Sequence, residues 1–304
     1  MFLRYILMKR IASLIAAAAV ACSLAGCSAA PEAQVAATTL PVYEFTTRIC
    51  EGTDISVARL VTESVSCLHD YALNVRQVRA VEAAEVVVIS GAGMEEFMDD
   101  MLHDRNIIDA SSGIELIEPE EHHHEHDHEE EESHEGHSHE EDPHIWLSPV
   151  NASAMAENIC DGLSAQYPEY ASDFEENLTE LQAELEALHA YGEENLRDLS
   201  CREIITFHDG FNYLADCYDL HILRAVEEES GSEASAAELI ELIEEVEHHD
   251  LPAIFTECNG SVSAAGIIAR ETGAGSYALD MAMGGDSYFE AMYHNIDTLE
   301  EALE

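Results

Sequence analysis

Lysine is almost missing from this chain of 304 residues. Lys9 is the only one, and Lys plus Arg number 12 against 63 Asp plus Glu, a formal net charge of −51. Without an amine beyond residue 9, Schiff-base chemistry, pyridoxal phosphate attachment and a P-loop lysine have no side chain to use. Without clustered cations to displace phosphate counterions, the composition argues against nucleic acid as a partner. No CxxC occurs, so zinc-ribbon and dithiol redox motifs are absent too. Apolar residues nevertheless make up 47% of the chain, enough for a substantial core, and the length suits one large or two medium domains.

The only long apolar run is amino-terminal, and it is short for a membrane span. Arg4, Lys9 and Arg10 precede the apolar segment 11–20, and Leu24-Ala25-Gly26-Cys27 follows. Residues 11–26 fall short of the roughly 20 that cross a bilayer comfortably, and the pattern is that of a secretory signal. Leu-Ala-Gly-Cys resembles a bacterial lipobox, which makes residues 1–26 a lipoprotein signal peptide and Cys27 the lipidated first residue of an exported, membrane-tethered protein. Met8 is an alternative start. Six cysteines follow Cys27: Cys50, Cys67, Cys160, Cys201, Cys217 and Cys258. Outside the cytoplasm an even number permits disulfides. Cys50 and Cys67 flank one short strand and form the candidate bridge.

From residue 35 onward, short β-rich apolar runs alternate with helical patterns. Strands are expected at 35–40, 55–61 and 85–90, with helices at 43–50, 75–83 and 95–103. A second series has strands at 203–207, 220–226, 253–257 and 276–279, with helices at 211–218, 236–248, 264–272 and 287–303. Such alternation argues parallel sheets with ligand positions at strand carboxyl ends. Between the series, Phe174, Leu178, Leu181, Leu185 and Leu188 repeat at spacings of four and three, one apolar seam on a long helix. The expected fold is therefore α/β: two lobes, each a small mainly parallel sheet flanked by helices, joined by one long rigid backbone helix. The first lobe covers 35–165, the connecting helix 166–198 and the second lobe 199–304. The seam is read as packing within the chain and the protein as a monomer.

Residues 118–142 hold 13 acids, eight histidines and no cation. Nothing in the tract can bury a core, so a solvated loop is expected. Its histidines, His122, His123, His124, His126, His128, His134, His137 and His139, are candidate accessory metal ligands, since neutral imidazole suits zinc, copper and nickel. Low complexity implies weak, multiple binding rather than one defined geometry.

Four other residues stand at loop positions that such sheets use for ligands. His69 lies between a strand and a helix, His144 directly follows the acidic tract, His208 follows the strand at 203–207, and Asp280 follows the strand at 276–279. Three imidazoles and a carboxylate suit tetrahedral zinc. Spacing alone does not establish that they converge.

The stretches HDY at 69–71, DPHIWLSP at 142–149, TFHDGFNYL at 206–214 and GDSYFEAMYHNIDTLEEAL at 285–303 resemble the zinc-binding solute receptors of ATP-binding-cassette importers, a family that also contains manganese receptors and adhesins. The resemblance covers 35–304, with DPHIWLSP its most specific motif. It implies two α/β lobes with metal held in the cleft between them: His69 and His144 from the first, His208 and Asp280 from the second. Zinc members resemble this chain in having histidine at the third position, where manganese members have glutamate. His208 and the tract, placed between the third and fourth strands, both imply Zn²⁺ over Mn²⁺. Glu257 matches an acidic position of the family, as an alternative ligand or a partner behind the ligands. Two departures stand out: Cys67-Leu68 replaces Asp-Pro before the first histidine, and Met281 replaces the proline after Asp280. Asp70, Asp209 and Trp146 are read as loop and packing residues.

The function implied is capture of Zn²⁺ outside the membrane and delivery to the permease of a metal importer, with no enzymatic activity. The alternatives are a manganese receptor or adhesin of the same fold, an exported zinc-buffering protein, and an exported metallohydrolase using Glu257 as base. Deleting residues 120–141 is expected to remove several weak zinc sites and leave one tight site in calorimetry; loss of the tight site would contradict this division.

Overall fold

Parallel strands and helices alternate along the chain in two series, and each series closes into one four-stranded sheet. The computed structural model describes residues 33–63, 65, 68, 71–117, 141–226, 235–258 and 263–304. The signal segment with Cys27, His69, Cys67 and the tract histidines lie outside them.

The first series runs β1 (Val35–Ala37), α1 (Leu40–Ile49), β2 (Val57–Arg59), α2 (Val75–Ala83), β3 (Val86–Ile89), a 3₁₀ turn (Glu96–Met98), α3 (Asp99–Leu102) and β4 (Ile107–Asp109). A second 3₁₀ turn (Ile145–Leu147) leads into α4 (Pro149–Gln166), and a third (Pro168–Tyr170) into the long α5 (Ala171–Asn195). The second series is β5 (Glu203–Thr206), α6 (Asn212–Cys217), β6 (His221–Ala225), α7 (Ala236–His248), β7 (Ala253–Glu257), α8 (Ser263–Thr272), β8 (Gly275–Leu279) and α9 (Tyr288–Leu303).

Both sheets are parallel throughout and repeat one strand order, β2-β1-β3-β4 and β6-β5-β7-β8. The winding reverses between the two central strands of each, so the loops leaving them diverge and open a crevice at the carboxyl edge. Val86, Val87 and Val88 are all fully buried, as expected for a strand covered on both faces.

Several expected boundaries shift for local reasons. β1 stops at Ala37 because Thr39 takes the helix N-cap position and Pro41, whose ring suits a first turn, lets α1 begin at Leu40. The helix expected at 95–103 is instead a 3₁₀ turn followed by a four-residue helix. Here the Glu95 side chain folds back to accept from Thr38 Oγ1 at 2.5 Å, Ser90 N at 2.8 Å and Gly91 N at 3.0 Å. β4 is not marked by the sequence pattern, because only its central residue is buried and three residues carry little periodicity. It also moves the histidine tract, which follows the fourth strand rather than lying between the third and fourth. α4 was likewise not foreseen as a separate helix, and α5 starts at Ala171, past a turn built on Pro168.

The connector does what its seam requires. Phe174, Leu181, Leu185 and Leu188 are buried and Leu178 packs at the edge of the same core. At 25 residues α5 spans about 37 Å at 1.5 Å per residue. Its face enters a continuous core that also takes in Val35, Phe45, Trp146 and Ile159 from the first lobe and Phe211, Phe255, Leu279 and Tyr288 from the second. Each sheet has a smaller separate core on its other side, around Leu60, Val81 and Met98 in one lobe and Ile205, Leu242 and Ile268 in the other. At Gly192 a Cβ would stand 2.3 Å from Tyr218 Cζ, so the missing side chain lets the second lobe lie directly on α5. Cys50 is a buried free thiol whose pKa burial pushes up to about 12. No helix among the described residues is long and apolar enough to cross a membrane.

Because Leu185 lies inside the shared core, Leu185→Ala should destabilise the metal-free protein by about 2–5 kcal/mol in urea unfolding. A loss below about 1 kcal/mol would mean that α5 is not an integral wall of that core.

Candidate metal site

His144 is presented by a loop that has few choices. Ile145, Trp146 and Leu147 are fully buried and make a 3₁₀ turn, and Ser148 accepts from Asn151 N to cap α4 behind it. Just before the turn, Asp142 Oδ1 accepts both the backbone N of His144, at 2.9 Å, and its ring Nδ1, at 2.8 Å. The carboxylate thus takes the proton-bearing Nδ1 and leaves the opposite nitrogen, Nε2, for a ligand, the arrangement that orients metal-ligating imidazoles. Burial works to raise the Asp142 pKa, but the hydrogen bonds and charge of His144, with Asn212, outweigh it and hold the carboxyl below its ordinary value.

His208 has a carboxylate neighbour of its own on the second lobe. It follows β5, and its Nδ1 lies 3.0 Å from Oε1 of Glu257 at the end of the adjacent β7. These are the central strands of the second sheet, so the pair stands at that sheet's crevice. Burial opposes the charged imidazole, yet hydrogen bonding and charge from Glu257 prevail, and the His208 pKa is raised.

The two rings meet edge to face, centroids 5.2 Å apart at 85°. Each Nε2 is buried, and neither has a hydrogen-bond partner among the described residues. A buried polar atom left unpaired costs free energy unless a ligand takes it up. Gly210 makes the approach sterically permissible. A Cβ there would lie 2.7 Å from His208 Cδ2, 2.9 Å from His144 Nδ1 and 2.8 Å from Met281 Cε.

The remaining expected positions behave differently. Asp280 directly follows β8 as anticipated, but its Oδ1 accepts from Ala282 N at 2.8 Å, an Asx-type turn. It does not join the imidazoles in a metal-holding group; among the described residues no three His, Cys, Asp or Glu are so arranged. His69 lies outside the described residues. Glu257 stands beside His208, its Oε1 3.0 Å from Nδ1.

Three contributors stand outside the candidate set read from sequence: Asp142, Asn212 and Tyr213. Asn212 Nδ2 donates to Asp142 Oδ2 at 3.0 Å and Tyr213 Oη to the Asp142 carbonyl at 2.9 Å, tying the His144 loop to α6 across the lobes. Asp142 N also donates to Ile117 O at 3.1 Å, and Ile117 N to Tyr213 Oη at 3.0 Å. The two ends of the acidic histidine tract are therefore pinned together two residues from His144. For Asp142 the signal in sequence is DPH itself, a carboxylate two residues before an imidazole.

Comparison with known proteins places this site in context. The sequence model of the family described as zinc-uptake complex component A, periplasmic (ZnuA), matches residues 35–302. The zinc-binding lipoprotein AdcA of Streptococcus pneumoniae is 32% identical over 98% of this chain, which spans 62% of that relative's length. The high-affinity zinc uptake system protein ZnuA of Bacillus subtilis is 32% identical, with 88% of this chain and 87% of the relative covered. The crystal structure of the Zn(II)-bound ZnuA-like domain of S. pneumoniae AdcA superposes with a TM-score of 0.74 at 27% identity, over 90% of this chain and 99% of that one.

Gly210→Ala should displace both imidazoles and weaken zinc binding by about 10–100-fold in chelator competition. Unchanged affinity would show that the close approach of the rings is irrelevant to the metal.

Proposed function

The chain belongs to the ZnuA family of zinc-uptake components, and on that premise we propose that it captures Zn²⁺ between its lobes and delivers it to the permease of an ATP-binding-cassette importer. The observation that carries this reading is the facing pair of His144 and His208. Each ring has Nδ1 close to a carboxylate oxygen, at 2.8 Å in His144 and 3.0 Å in His208, and each Nε2 is buried and without a partner among the described residues. Two neutral imidazole donors favour zinc over manganese, which prefers oxygen ligands.

Zinc is the cargo here. His69 and Asp280 complete its ligand set in this reading, Asp280 by turning toward the pair when metal is present. Asp142 and Glu257 orient the two rings and raise their basicity. Glu257 lies against Nδ1 of His208, so it serves as an orienting group rather than a hydrolytic base. Four ligands would leave no open position for an activated water, in keeping with a family of receptors rather than enzymes.

The tract enters the same scheme as a collecting loop. Its pinned ends lie at the base of the His144 loop, so zinc held weakly along it would be released beside the cleft. The protein is exported and tethered through a lipid on Cys27, acting as a monomer. The shared core across α5 favours small rocking of the lobes over wide closure.

Purified protein should bind zinc in preference to manganese, and either His144→Ala or His208→Ala should weaken zinc binding by at least about tenfold. Proton competition has a definite sign. The raised pKa of His208 means that its protonated, non-ligating form is already populated somewhat above the ordinary imidazole value of about 6.5. Zinc affinity should therefore begin to fall above that pH and keep falling below it. Manganese preference, or affinity indifferent to both histidines, would sink the proposal; rescue of growth in a strain lacking its zinc receptor tests the delivery step.

A further inference from the structure

Asp280 does not stand on its strand alone. The segment after it, residues 281–287, crosses to the first lobe before α9 begins, and three of its backbone carbonyls are gripped from that side. Trp146 Nε1 donates to Met281 O at 2.8 Å, Arg59 Nη2 to Met283 O at 2.8 Å, and Arg59 Nη1 to Gly285 O at 2.8 Å. Glu44 of α1 takes the far end, accepting Tyr288 N at 2.6 Å and Ser287 Oγ at 3.3 Å. Arg59 is itself set by its Nε, which donates to Val61 O at 2.6 Å. Met281, Ala282, Met283 and Gly284 are buried beneath these contacts.

On its own lobe the start of the strap is held just as closely. Asn295 accepts from Asp280 N and donates to Asp280 O, both at 2.7 Å. Ala282 adopts φ 54°, a left-handed conformation that costs a residue with a Cβ about 1 kcal/mol. Such a conformation persists only where the surroundings impose it. Here the impositions are the Asp280 Oδ1 turn on one side and the first-lobe donors on the other.

We propose that Arg59 is a positioning residue for the metal: by holding the strap across the cleft it sets where the Asp280 carboxylate stands relative to His144 and His208. The planar guanidinium suits this task, since its fork spans two carbonyls two residues apart and stays charged at every working pH. Arg59 is also one of very few cations in the chain, and it is committed to backbone carbonyls rather than to a surface carboxylate. The inference rests on Asp280 being a zinc ligand.

The test is a double-mutant cycle on zinc affinity, read by competition with a chromophoric chelator on the full chain. Arg59→Gln should weaken zinc binding about tenfold. Arg59→Lys, which offers one point-like ammonium in place of the fork, should fall between it and the wild type. In an Asp280→Ala background, Arg59→Gln should change affinity by less than about twofold, because the group it positions is gone. Equal losses in both backgrounds, or no loss in either, would overturn the proposal. A second measurement needs no zinc: hydrogen exchange of the amides at 282–288 should speed up in Arg59→Gln, and unchanged exchange would also overturn it. Failure of the wild type to take up zinc would instead bring down the receptor reading, and this one with it.

Discussion

Two imidazoles face each other with each Nε2 buried and without a hydrogen-bond partner among the described residues, although a protein interior otherwise favours pairing of polar atoms. This constraint organises the rest of the molecule. A carboxylate lies close to each Nδ1, Asp142 from the His144 loop and Glu257 from the neighbouring strand. Each carboxylate needs its own support: Asn212 and Tyr213 hold Asp142, and the end of fully buried β7 holds Glu257. The rings then need room to meet, which the bare Cα of Gly210 provides. What remains is a pair of buried nitrogens without a partner among the described residues, which a bound cation would satisfy.

Scarcity of positive charge gives the few arginines an unusual distribution of work. Arg59 and Arg202 spend their donors largely on backbone carbonyls at joints of the structure. Arg59 binds the strap after Asp280, and Arg202 binds the carbonyls of Leu196, Arg197, Tyr218 and Asp219 where the connector enters the second lobe. Others pair with carboxylates on helices, Arg48 with Glu184 and Arg224 with Glu241 and Glu245. Exposed pairs of this kind contribute little to stability, so most of the negative charge is left to solvent. A field of that sign lowers the energy of any cation nearing the cleft.

The shared core limits how the lobes can move. Helix α5 contributes one buried face to a cluster that reaches both sheets, while Trp146 and Tyr288 exchange hydrogen bonds with backbone on opposite sides of the cleft. Wide opening would expose this apolar surface and break those bonds together. Small displacements of the strap and of the His144 loop disturb far less.

Much of this was legible in the residues. Alternation of buried apolar runs with amphipathic helices specified two parallel sheets, because a strand covered on both faces must be apolar throughout, as Val86–Ile89 is. The seam from Phe174 to Leu188 specified the connector, and the histidines at 144 and 208 marked strand and loop ends where ligands gather. Weakly patterned elements escaped notice, such as β4 with one buried residue and the split helix after Glu95. Convergence is another matter. Which nitrogen of His144 is free, that Glu257 stands behind His208, and that Arg59 reaches Met283 across 224 positions of sequence are facts about distance between separate elements. Local residue pattern sets secondary structure and burial through short-range sterics and hydrophobicity. Only the packing of two lobes on one helix decides which polar atoms end up face to face.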